Sequence, residues 1–474
     1  MSARLALVAL SALGLGGCLG PRTDVEPLLA ETAELLGGAP ATDGAVLDAP
    51  ADRWWERFGD PVLDQLVELT LAGNRDLRQA AATVREAEAS TRSARGARGP
   101  SLDASFAGIR TRSQAPPGNP VYSTLLFPQL TVSWRADLLG RLQSQERASV
   151  AELLAAEEDR VALAHSLIAE AARLRVSISL QERRLSLSRD IVASRTSTLE
   201  TVEGRYERGV GTATAVDVHL ARENLAAARA AQPPLERDLQ QALFALDVLL
   251  GRAPEGSSAP GSLSSPLPSA PPPPAQLPAA LLDRRPDLRA ARTRLEGAAA
   301  GVDVSVAALY PELSFSAALA STGSDLDQAF DPDRFFANLV AGLAGPIFAS
   351  GRLRADVDAA EARLEALAEG YAAQALRAAR EVQDALTAER ELRAELAERL
   401  RQRDEARMAE DLARDRYARG LQDLLTVLDT ERRRATAEEQ VLLLRASVWN
   451  ARIDLHLALG GDWLSQDPST VSLR

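Results

Sequence analysis

A single offset relates the two halves of this chain of 474 residues. Groups of unlike residues recur 211 positions later, and so many coincidences at one spacing are improbable by chance. Gly251 and Gly460 are 209 positions apart, so the second half has lost two residues. The matching groups are Asp76-Leu77 with Asp287-Leu288, Pro100 with Pro311, Gly140-Arg141-Leu142 with Gly351-Arg352-Leu353, and Arg205-Tyr206-x-Arg208-Gly209 with Arg416-Tyr417-x-Arg419-Gly420. The sequence therefore predicts two copies of one structural unit.

Each half begins with the same order of helix and strand patterns. Apolar residues at helical spacing predict helices of about 35 residues over 61–98 and 276–308. Apolar and polar residues then alternate, which predicts a pair of strands joined by a loop over 110–123. The second half repeats this strand pair around a loop over 323–333. Four strands are therefore expected in all.

Long helical segments follow the strands in each half. Residues 142–206 and 353–417 carry apolar positions along one stripe, in places at steps of seven, which predicts coiled-coil-like packing. A further helix is predicted over 213–250, and its counterpart over 424–459. A helix of some 65 residues is about 100 Å long, close to the combined length of the two shorter helices. The sequence predicts a wall of long and composite helices.

The first residues resemble a bacterial secretory signal. Arg4 precedes an apolar run of 13 residues that ends at Gly17, too short to span a bilayer. Leu15-Gly16-Gly17-Cys18 resembles a lipobox, which predicts cleavage before Cys18 and a covalent lipid on that residue. The alternative is that Cys18 is an incidental small apolar residue. It is the only cysteine, so a structural disulfide is excluded.

These observations divide the chain into six segments. The central boundary is a stretch rich in proline, with Pro271 to Pro274 in a row, which is typical of an extended linker. The segments are a signal peptide over 1–17, a lipidated N-terminal segment over 18–53, a first repeat over 54–252, a Pro-rich linker over 253–275, a second repeat over 276–461 and a C-terminal tail over 462–474.

Composition excludes several functional classes. The formal net charge is -12 and every one of the 54 basic residues is an arginine, so the chain offers no strongly basic surface for nucleic acid. No apolar stretch after the signal is long enough for a transmembrane helix. His165, His219 and His456 are far apart, and no phosphate loop, nucleophile motif or metal-binding spacing is present. The sequence predicts neither an enzyme nor a bound metal or cofactor other than the lipid.

Four strands cannot close a sheet by themselves. In a membrane, an open edge leaves unpaired backbone groups in hydrocarbon at a cost of several kcal/mol each. The smallest bacterial barrels have about 8 strands, so two or three copies would be needed, and three copies would give 3 × 4 = 12 strands. A soluble sheet packed on the helices fits the same alternation, and the periodicity does not decide between them.

The order of motifs resembles the outer membrane factors of tripartite efflux pumps, the TolC and OprM type. The resemblance covers 54–461. It is carried by Trp55, Phe58, Asp60, Pro61, Leu63 and Leu66, by Asn74, Asp76 and Leu77, by Trp134, Asp137, Leu138, Gly140 and Arg141, by the segment from Arg284 to Ala291, by Tyr310, Pro311, Leu313 and Ser314, and by Gly345-Pro346-Ile347-Phe348 with Gly351-Arg352-Leu353.

The resemblance implies a mainly α-helical protein with a membrane β-barrel. Three copies would form a homotrimer with a 12-stranded barrel in the outer membrane and an α-helical tunnel through the periplasm. It also implies docking to a periplasmic adaptor protein and to an inner-membrane transporter of the RND class, with the lipid on Cys18 anchored in the outer membrane. The function implied is passive exit of drugs or other small toxic molecules.

The tips of the two helical hairpins are the candidate gate. Gly209 and Gly420 break the long helices there. In similar channels, acidic and aromatic residues near the tips hold the periplasmic end closed, which by motif makes Asp217, Tyr417 and Asp429 the candidates here. An equally good interpretation is that the two aspartates are solvated charges at helix ends and that Tyr417 is an aromatic residue packed in a coil. Thr426 stands where some relatives have an aspartate.

Two other functions fit the architecture. An exit duct for type I protein secretion would have the same fold, and neighbouring genes for an adaptor and pump or for an ABC exporter would decide between the two. A lipid-anchored periplasmic coiled-coil scaffold without a pore is the alternative from another class, and reconstitution would then give no ion current. The transported substrate is not specified by any residue pattern in this chain.

Overall fold

The structure is a computed structural model that describes residues 22–35, 53–114, 118–209, 213–256 and 284–461. The predicted signal peptide, Cys18, most of the Pro-rich linker and the tail over 462–474 lie outside the described residues. The chain divides into two compact units. The first, which we call the sheet unit, takes described residues from 1–40, 82–158 and 289–373. The second, the tip unit, takes them from 41–81, 159–288 and 374–474.

The elements occur in the predicted order and are related by the offset of the repeat. Those before the linker are α1 (Glu26–Leu35), a 3₁₀ helix (Trp54–Phe58), α2 (Pro61–Gly73), α3 (Arg75–Gly96), β1 (Ser101–Ser113), β2 (Val121–Ala136), α4 (Arg141–Glu207), α5 (Ala215–Ala230) and α6 (Gln232–Leu249). Those after it are α7 (Pro286–Ala307), β3 (Glu312–Ala320), the short α8 (Leu326–Ala329), a 3₁₀ turn (Pro332–Arg334), β4 (Phe336–Ala344), α9 (Arg352–Ala418) and α10 (Leu424–Ala458).

The two long helices confirm the predictions for 142–206 and 353–417. α4 and α9 each contain 67 residues, and neither contains a proline. Each begins directly after a glycine with a positive φ, Gly140 at 72° and Gly351 at 84°, which is a conformation that residues with a Cβ rarely adopt. The same residue type at the same turn in both halves therefore sets where each long helix begins.

The helices predicted over 61–98 and 213–250 are each divided in two. Asn74 separates α2 from α3, because its side chain accepts hydrogen bonds from the backbone N–H groups of Asp76 and Leu77. The Asn74 amide also donates to the carbonyl of Leu249 at 2.9 Å. Ala231 separates α5 from α6, where two prolines at 233 and 234 lack the N–H that would continue the helix. The predictions missed these breaks because the apolar spacing continues through both.

In the second half, α10 runs from Leu424 to Ala458 without a break, as predicted. α7 is described from Pro286 onward, and the residues 276–283, with which that helix was predicted to begin, lie outside the described residues.

The four strands form one antiparallel sheet in the order β1-β2-β3-β4. The first two strands are longer than predicted: β1 continues to Ser113 and β2 begins at Val121, so half of the loop predicted over 110–123 is strand. The alternation of side chains continues there with arginine and tyrosine in place of aliphatic residues. Arg110 lies over the ring of Tyr122 on the neighbouring strand, 5.3 Å from its centroid.

Each unit has its own apolar core. In the sheet unit, Leu295, Val302 and Leu364 pack with residues of α1 such as Leu28 and Leu29. In the tip unit, the 3₁₀ helix Trp54–Phe58 packs against α4 and α10. There the Trp54 ring stacks on the buried imidazole of His456, with centroids 4.8 Å apart.

Candidate gate at the helical hairpin tips

The first tip follows Gly209, which adopts a φ of 59° at the end of α4. α5 then begins with a reciprocal capping arrangement between Thr214 and Asp217. The Asp217 carboxylate accepts hydrogen bonds from the Thr214 N–H at 2.7 Å and from its hydroxyl at 2.9 Å. The Thr214 hydroxyl in turn accepts from the Asp217 N–H. Asp217 therefore stabilises the start of α5. Its position three residues after a threonine is the sequence pattern typical of this role.

The second tip follows Gly420, which has a φ of 76°. The N–H of Gly420 donates to the carbonyl of Tyr417, and the N–H of Leu421 donates to that of Arg416. Asp423 caps α10 by accepting from the N–H of Thr426 at 2.9 Å and from its hydroxyl at 2.6 Å. These bonds lower the pKa of the Asp423 carboxyl. Thr426 thus completes the cap.

An apolar cluster joins the two tips within the tip unit. Tyr417 is buried in it, in contact with residues from the first hairpin. The Arg205 guanidinium lies over the Tyr417 ring at 4.7 Å from its centroid and donates a hydrogen bond to the Tyr417 carbonyl at 2.7 Å. The buried members of the cluster are Val202, Val218, Ala221, Ala413, Tyr417, Leu424 and Val427.

Asp429 lies in α10, about one turn after Thr426. Its carboxylate accepts hydrogen bonds from Arg432 and Arg433, each at 2.6 Å. These two bonds lower the pKa of the Asp429 carboxyl. The aspartate therefore stays ionised at neutral pH, and two cations on its own helix compensate part of its charge. An aspartate followed by arginines three and four positions later is the sequence signal for this pairing.

A network of buried charges lies between the helices next to the tips. Glu410 and Glu431 are both almost fully buried, and Arg414 contacts one oxygen of each at 2.9 Å. Arg434 pairs with Glu410 as well, and the Thr198 hydroxyl donates to Glu431 at 2.6 Å. Burial raises the pKa of Glu410 against the opposing effect of the two arginines. These charges lie where a simple coiled coil would place apolar residues, and the apolar periodicity did not predict them.

Of the predicted gate residues, Tyr417 alone belongs to the cluster that joins the tips. Asp217 is engaged in a helix cap and Asp429 in ion pairs along its own helix. Their roles in gating stay predictions. Arg205 was not predicted as a site residue, although it belongs to the repeated Arg-Tyr-x-Arg-Gly motif. Its partner on the other hairpin is brought close only by the fold.

The sheet has two chemically different faces. Alternate positions carry small and polar side chains on one face, such as Ser105, Thr131 and Ser316. The other face carries large apolar side chains, many of them exposed. These include Leu102, Phe106, Leu130, Val132, Leu319, Leu339 and Leu343. Leu339 is 79% exposed and Leu102 69%, so this apolar face is not covered by the described residues of the chain.

In the parts of the chain that the structure describes, none of the helices combines the length and the apolar character needed to cross a membrane. The same residues contain no group of three or more histidine, cysteine, aspartate or glutamate side chains placed to hold a metal ion.

Comparison with known proteins identifies one protein family. The family model for outer membrane efflux proteins matches residues 66–252 and 277–461. The chain belongs to the outer membrane efflux protein family. Outer membrane protein OprJ of Pseudomonas aeruginosa is 32% identical over 463 residues, with 96% of this chain and 95% of that protein covered. Toluene efflux pump outer membrane protein TtgF of Pseudomonas putida is 33% identical over 424 residues, covering 88% and 87%.

Solved channels of this family have the same fold. The outer-membrane channel OprN superposes with a TM-score of 0.80 at 30% identity, over 89% of this chain and 99% of that one. VceC of Vibrio cholerae gives a TM-score of 0.78 at 25% identity, over 87% and 99%. The predictions of a mainly helical fold with four strands, of an outer-membrane efflux channel and of a protein that is not an enzyme are confirmed.

Proposed function

We propose that three copies of this efflux channel close their sheets into one barrel in the outer membrane, with the helices forming a periplasmic tunnel. The observation that carries this proposal is the exposed apolar face of a sheet whose outermost strands, β1 and β4, each pair with one strand in the described part of the chain. When such sheets close into a barrel in lipid, the backbone groups at their edges form hydrogen bonds with a neighbouring strand. The apolar face is then in contact with hydrocarbon instead of water.

The channel is proposed to be passive and to work in a tripartite pump. A periplasmic adaptor would bind the tunnel end, and an inner-membrane transporter of the RND class would supply the energy. Relatives are named for toluene efflux, solvent efflux and pyoverdine export. Small molecules of this range are the proposed cargo, and a lipid on Cys18 is the proposed anchor. A water-filled tunnel discriminates weakly among solutes, so we assign substrate choice to the transporter.

The tips are the proposed gate. The Arg205 contact with Tyr417 and the shared apolar cluster tie the two hairpins together in this structure. Opening would separate residues at the tips, so weakening these contacts would favour the open state.

Three measurements test the proposal together. Light scattering of the detergent-extracted protein should give the mass of three chains, and the same sample should form ion-conducting pores in planar bilayers. Deletion of the gene should increase susceptibility to a panel of solvents, dyes and antibiotics, and the full-length gene should restore resistance. A stable monomer that conducts no ions would overturn the channel and leave the periplasmic scaffold as the better explanation.

A further inference from the structure

The apolar face of the sheet changes character along β1. Even-numbered residues of β1 lie on this face, because successive residues of a strand point to opposite sides of the sheet. From the end next to the helices, the face carries Leu102, Ala104 and Phe106. After Gly108 the next two residues on the same face are Arg110 and Arg112. The face is therefore basic at the end of the strand that lies farther from the helices.

These two arginines have no counter-charge in their own hairpin. Between Asp103 and Asp137 the sequence contains three arginines and neither aspartate nor glutamate. Arg110 and Arg112 are both exposed, and among the residues that the structure describes neither has an ion-pair partner. An anion from outside the chain could therefore approach both guanidinium groups.

Tyr122 of β2 completes the basic surface. It lies opposite Arg112 in the strand register and is 55% exposed. The Arg110 guanidinium lies 5.3 Å from the centroid of the Tyr122 ring. Residues two apart on one face of a strand have Cα atoms about 7 Å apart. Two guanidinium groups at this spacing can converge on one phosphate, because each presents a planar fork of N–H donors that matches its oxygens.

The height of the arginines above the other end of the apolar face indicates where such a phosphate would come from. Arg110 and Arg112 are eight and ten positions after Leu102. At about 3.4 Å per residue they lie about 27 and 34 Å along the strand. A tilt of about 40° converts these lengths to heights of about 21 and 26 Å, and the apolar band of a membrane barrel is about 25 Å tall. The arginines thus reach the level of lipid headgroups.

We propose that Arg110 and Arg112, with Tyr122 beside them, bind the phosphate of a lipid headgroup in the leaflet farther from the helices. This inference rests on the proposed function, which makes the apolar face the surface in contact with lipid. The acyl chains of the same lipid would lie against exposed apolar side chains of that face, such as Phe106 and Leu130.

An acidic segment between β3 and β4 is the competing source of counter-charge. The Phe330 ring of this segment stacks on Phe106, with centroids 6.1 Å apart. The segment contains four aspartates, Asp325, Asp327, Asp331 and Asp333. Two of them, Asp325 and Asp331, accept hydrogen bonds at the starts of the short α8 and of the 3₁₀ turn. In a trimer, the same segment of a neighbouring copy could pair with the arginines instead of a lipid.

Native mass spectrometry of the full-length protein in a non-ionic detergent tests the site. Phosphatidic acid, whose headgroup is a phosphate monoester, would be titrated, with phosphatidylcholine, whose phosphate is compensated by its own cation, in a parallel series. Inorganic phosphate would be added as a competitor. The test variant is Arg110→Gln with Arg112→Gln. Arg354→Gln with Arg363→Gln removes the same charge from exposed positions of α9 and is the matched control.

We expect the test variant to bind phosphatidic acid roughly tenfold more weakly than the parent, because each arginine near a membrane surface contributes about fivefold to anionic lipid binding. The control variant and the phosphatidylcholine series should match the parent. Equal binding of phosphatidic acid by the test variant and the parent, or an equal loss in the control variant, would overturn the site. Displacement of the lipid by an equal concentration of inorganic phosphate would overturn its assignment to a lipid headgroup.

Light scattering of the same samples separates this inference from the proposed function. A trimeric parent whose lipid binding does not depend on the two arginines would overturn the site while leaving the channel intact. Dissociation of the trimer in the test variant, without a specific loss of phosphatidic acid, would assign the arginines to the aspartates of a neighbouring copy and also overturn the site. A monomeric parent would overturn the proposed function and this inference together.

Discussion

Arg205 makes two contacts with one residue on the opposite hairpin. Its guanidinium lies over the Tyr417 ring and donates to the Tyr417 carbonyl. A charged hydrogen bond and a cation–π contact at a partly exposed site each contribute on the order of 1 kcal/mol. The side chain therefore helps to hold the two tips together, although it is only partly buried.

We predict that Arg205→Ala increases the conductance of the channel or the fraction of time for which it is open in planar bilayers. Loss of about 1–2 kcal/mol from the closed state changes the ratio of open to closed channels roughly five- to thirtyfold. Arg208→Ala is the matched control, because the Arg208 side chain is exposed and donates to the Gly204 carbonyl in the last turn of α4, on the same hairpin. Equal conductance traces for the two variants would contradict a role for Arg205 in closure.

Asp429 gives a second prediction at this scale. In the proposed trimer, three Asp429 carboxylates around a narrow axis would attract cations, even though each is paired with Arg432 and Arg433. Asp429→Ala is expected to raise single-channel conductance or to weaken block by divalent cations. Asp415→Ala is the control, since Asp415 is an exposed aspartate near the same tip and is paired with Arg419. Conductance and block that match the parent channel would remove Asp429 from the constriction.

His456 predicts a dependence of stability on pH. Burial lowers its pKa from 6.5 to about 3, and the nearby positive charges of Arg452 and Arg57 add to this effect. Between these pH values only the unfolded chain takes up the proton, so acidification through this window favours unfolding. The contribution is on the order of 1.4 kcal/mol for each pH unit of the shift.

The test compares the thermal unfolding of the parent protein with that of His456→Gln in the same detergent. The stability advantage of the parent should be largest near neutral pH and should shrink as the pH falls from 6.5 towards 3. The variant controls for the carboxylates, which titrate in both proteins. A difference in unfolding temperature that is constant over this range would contradict the inference that the neutral imidazole is confined in the core.

At the scale of elements, Asn74 determines that one predicted helix becomes two. Its carboxamide caps α3 and also binds the carbonyl of Leu249 at the end of α6. The residue is buried, so its removal would leave backbone groups unsatisfied. We predict that Asn74→Ala lowers the free energy of unfolding by about 1–3 kcal/mol.

Thermal or denaturant unfolding in detergent would measure this loss. The adjacent Arg75→Ala changes an exposed side chain at the first residue of α3 and should have a much smaller effect. Comparable losses in the two variants would show that the helix start, rather than the Asn74 side chain, is the sensitive feature.

At the scale of the whole molecule, the loop between β4 and α9 should control assembly. Ile347 and Phe348 are among the most exposed large apolar side chains of the described residues. In the proposed trimer we expect a second copy to cover them, so charges there would be buried at a cost of several kcal/mol. We predict that Ile347→Asp with Phe348→Asp reduces the trimer and increases the monomer in detergent extracts.

Val216→Asp is the control for this prediction. Val216 is also highly exposed, at 65%, but lies at the start of α5 near the first tip. It should leave the trimer fraction unchanged, as measured by light scattering. A trimer that tolerates both charges in the loop would show that this loop faces lipid or water in the assembled channel.

The repeat, the order of elements and the family can all be recognised without a structure. These features depend on local patterns: apolar spacing of 3.6 or 2 residues, the glycines that precede the two long helices, Gly140 and Gly351, and motifs that recur at one offset. The helix breaks at Asn74 and Ala231 were not predicted. Apolar periodicity shows which face of a helix is buried, but it does not show where the helical backbone hydrogen bonds are interrupted.

Which distant residues meet depends on how the helices and strands pack. The contact of Arg205 with Tyr417, the buried charges around Glu410 and the burial of His456 join segments that are far apart in the chain. No local pattern encodes such pairings, since a guanidinium can choose among many carbonyls, rings and carboxylates until packing fixes its neighbours. The strand registers were decided in the same way, by hydrogen bonds between strands whose sequences each allow several alignments.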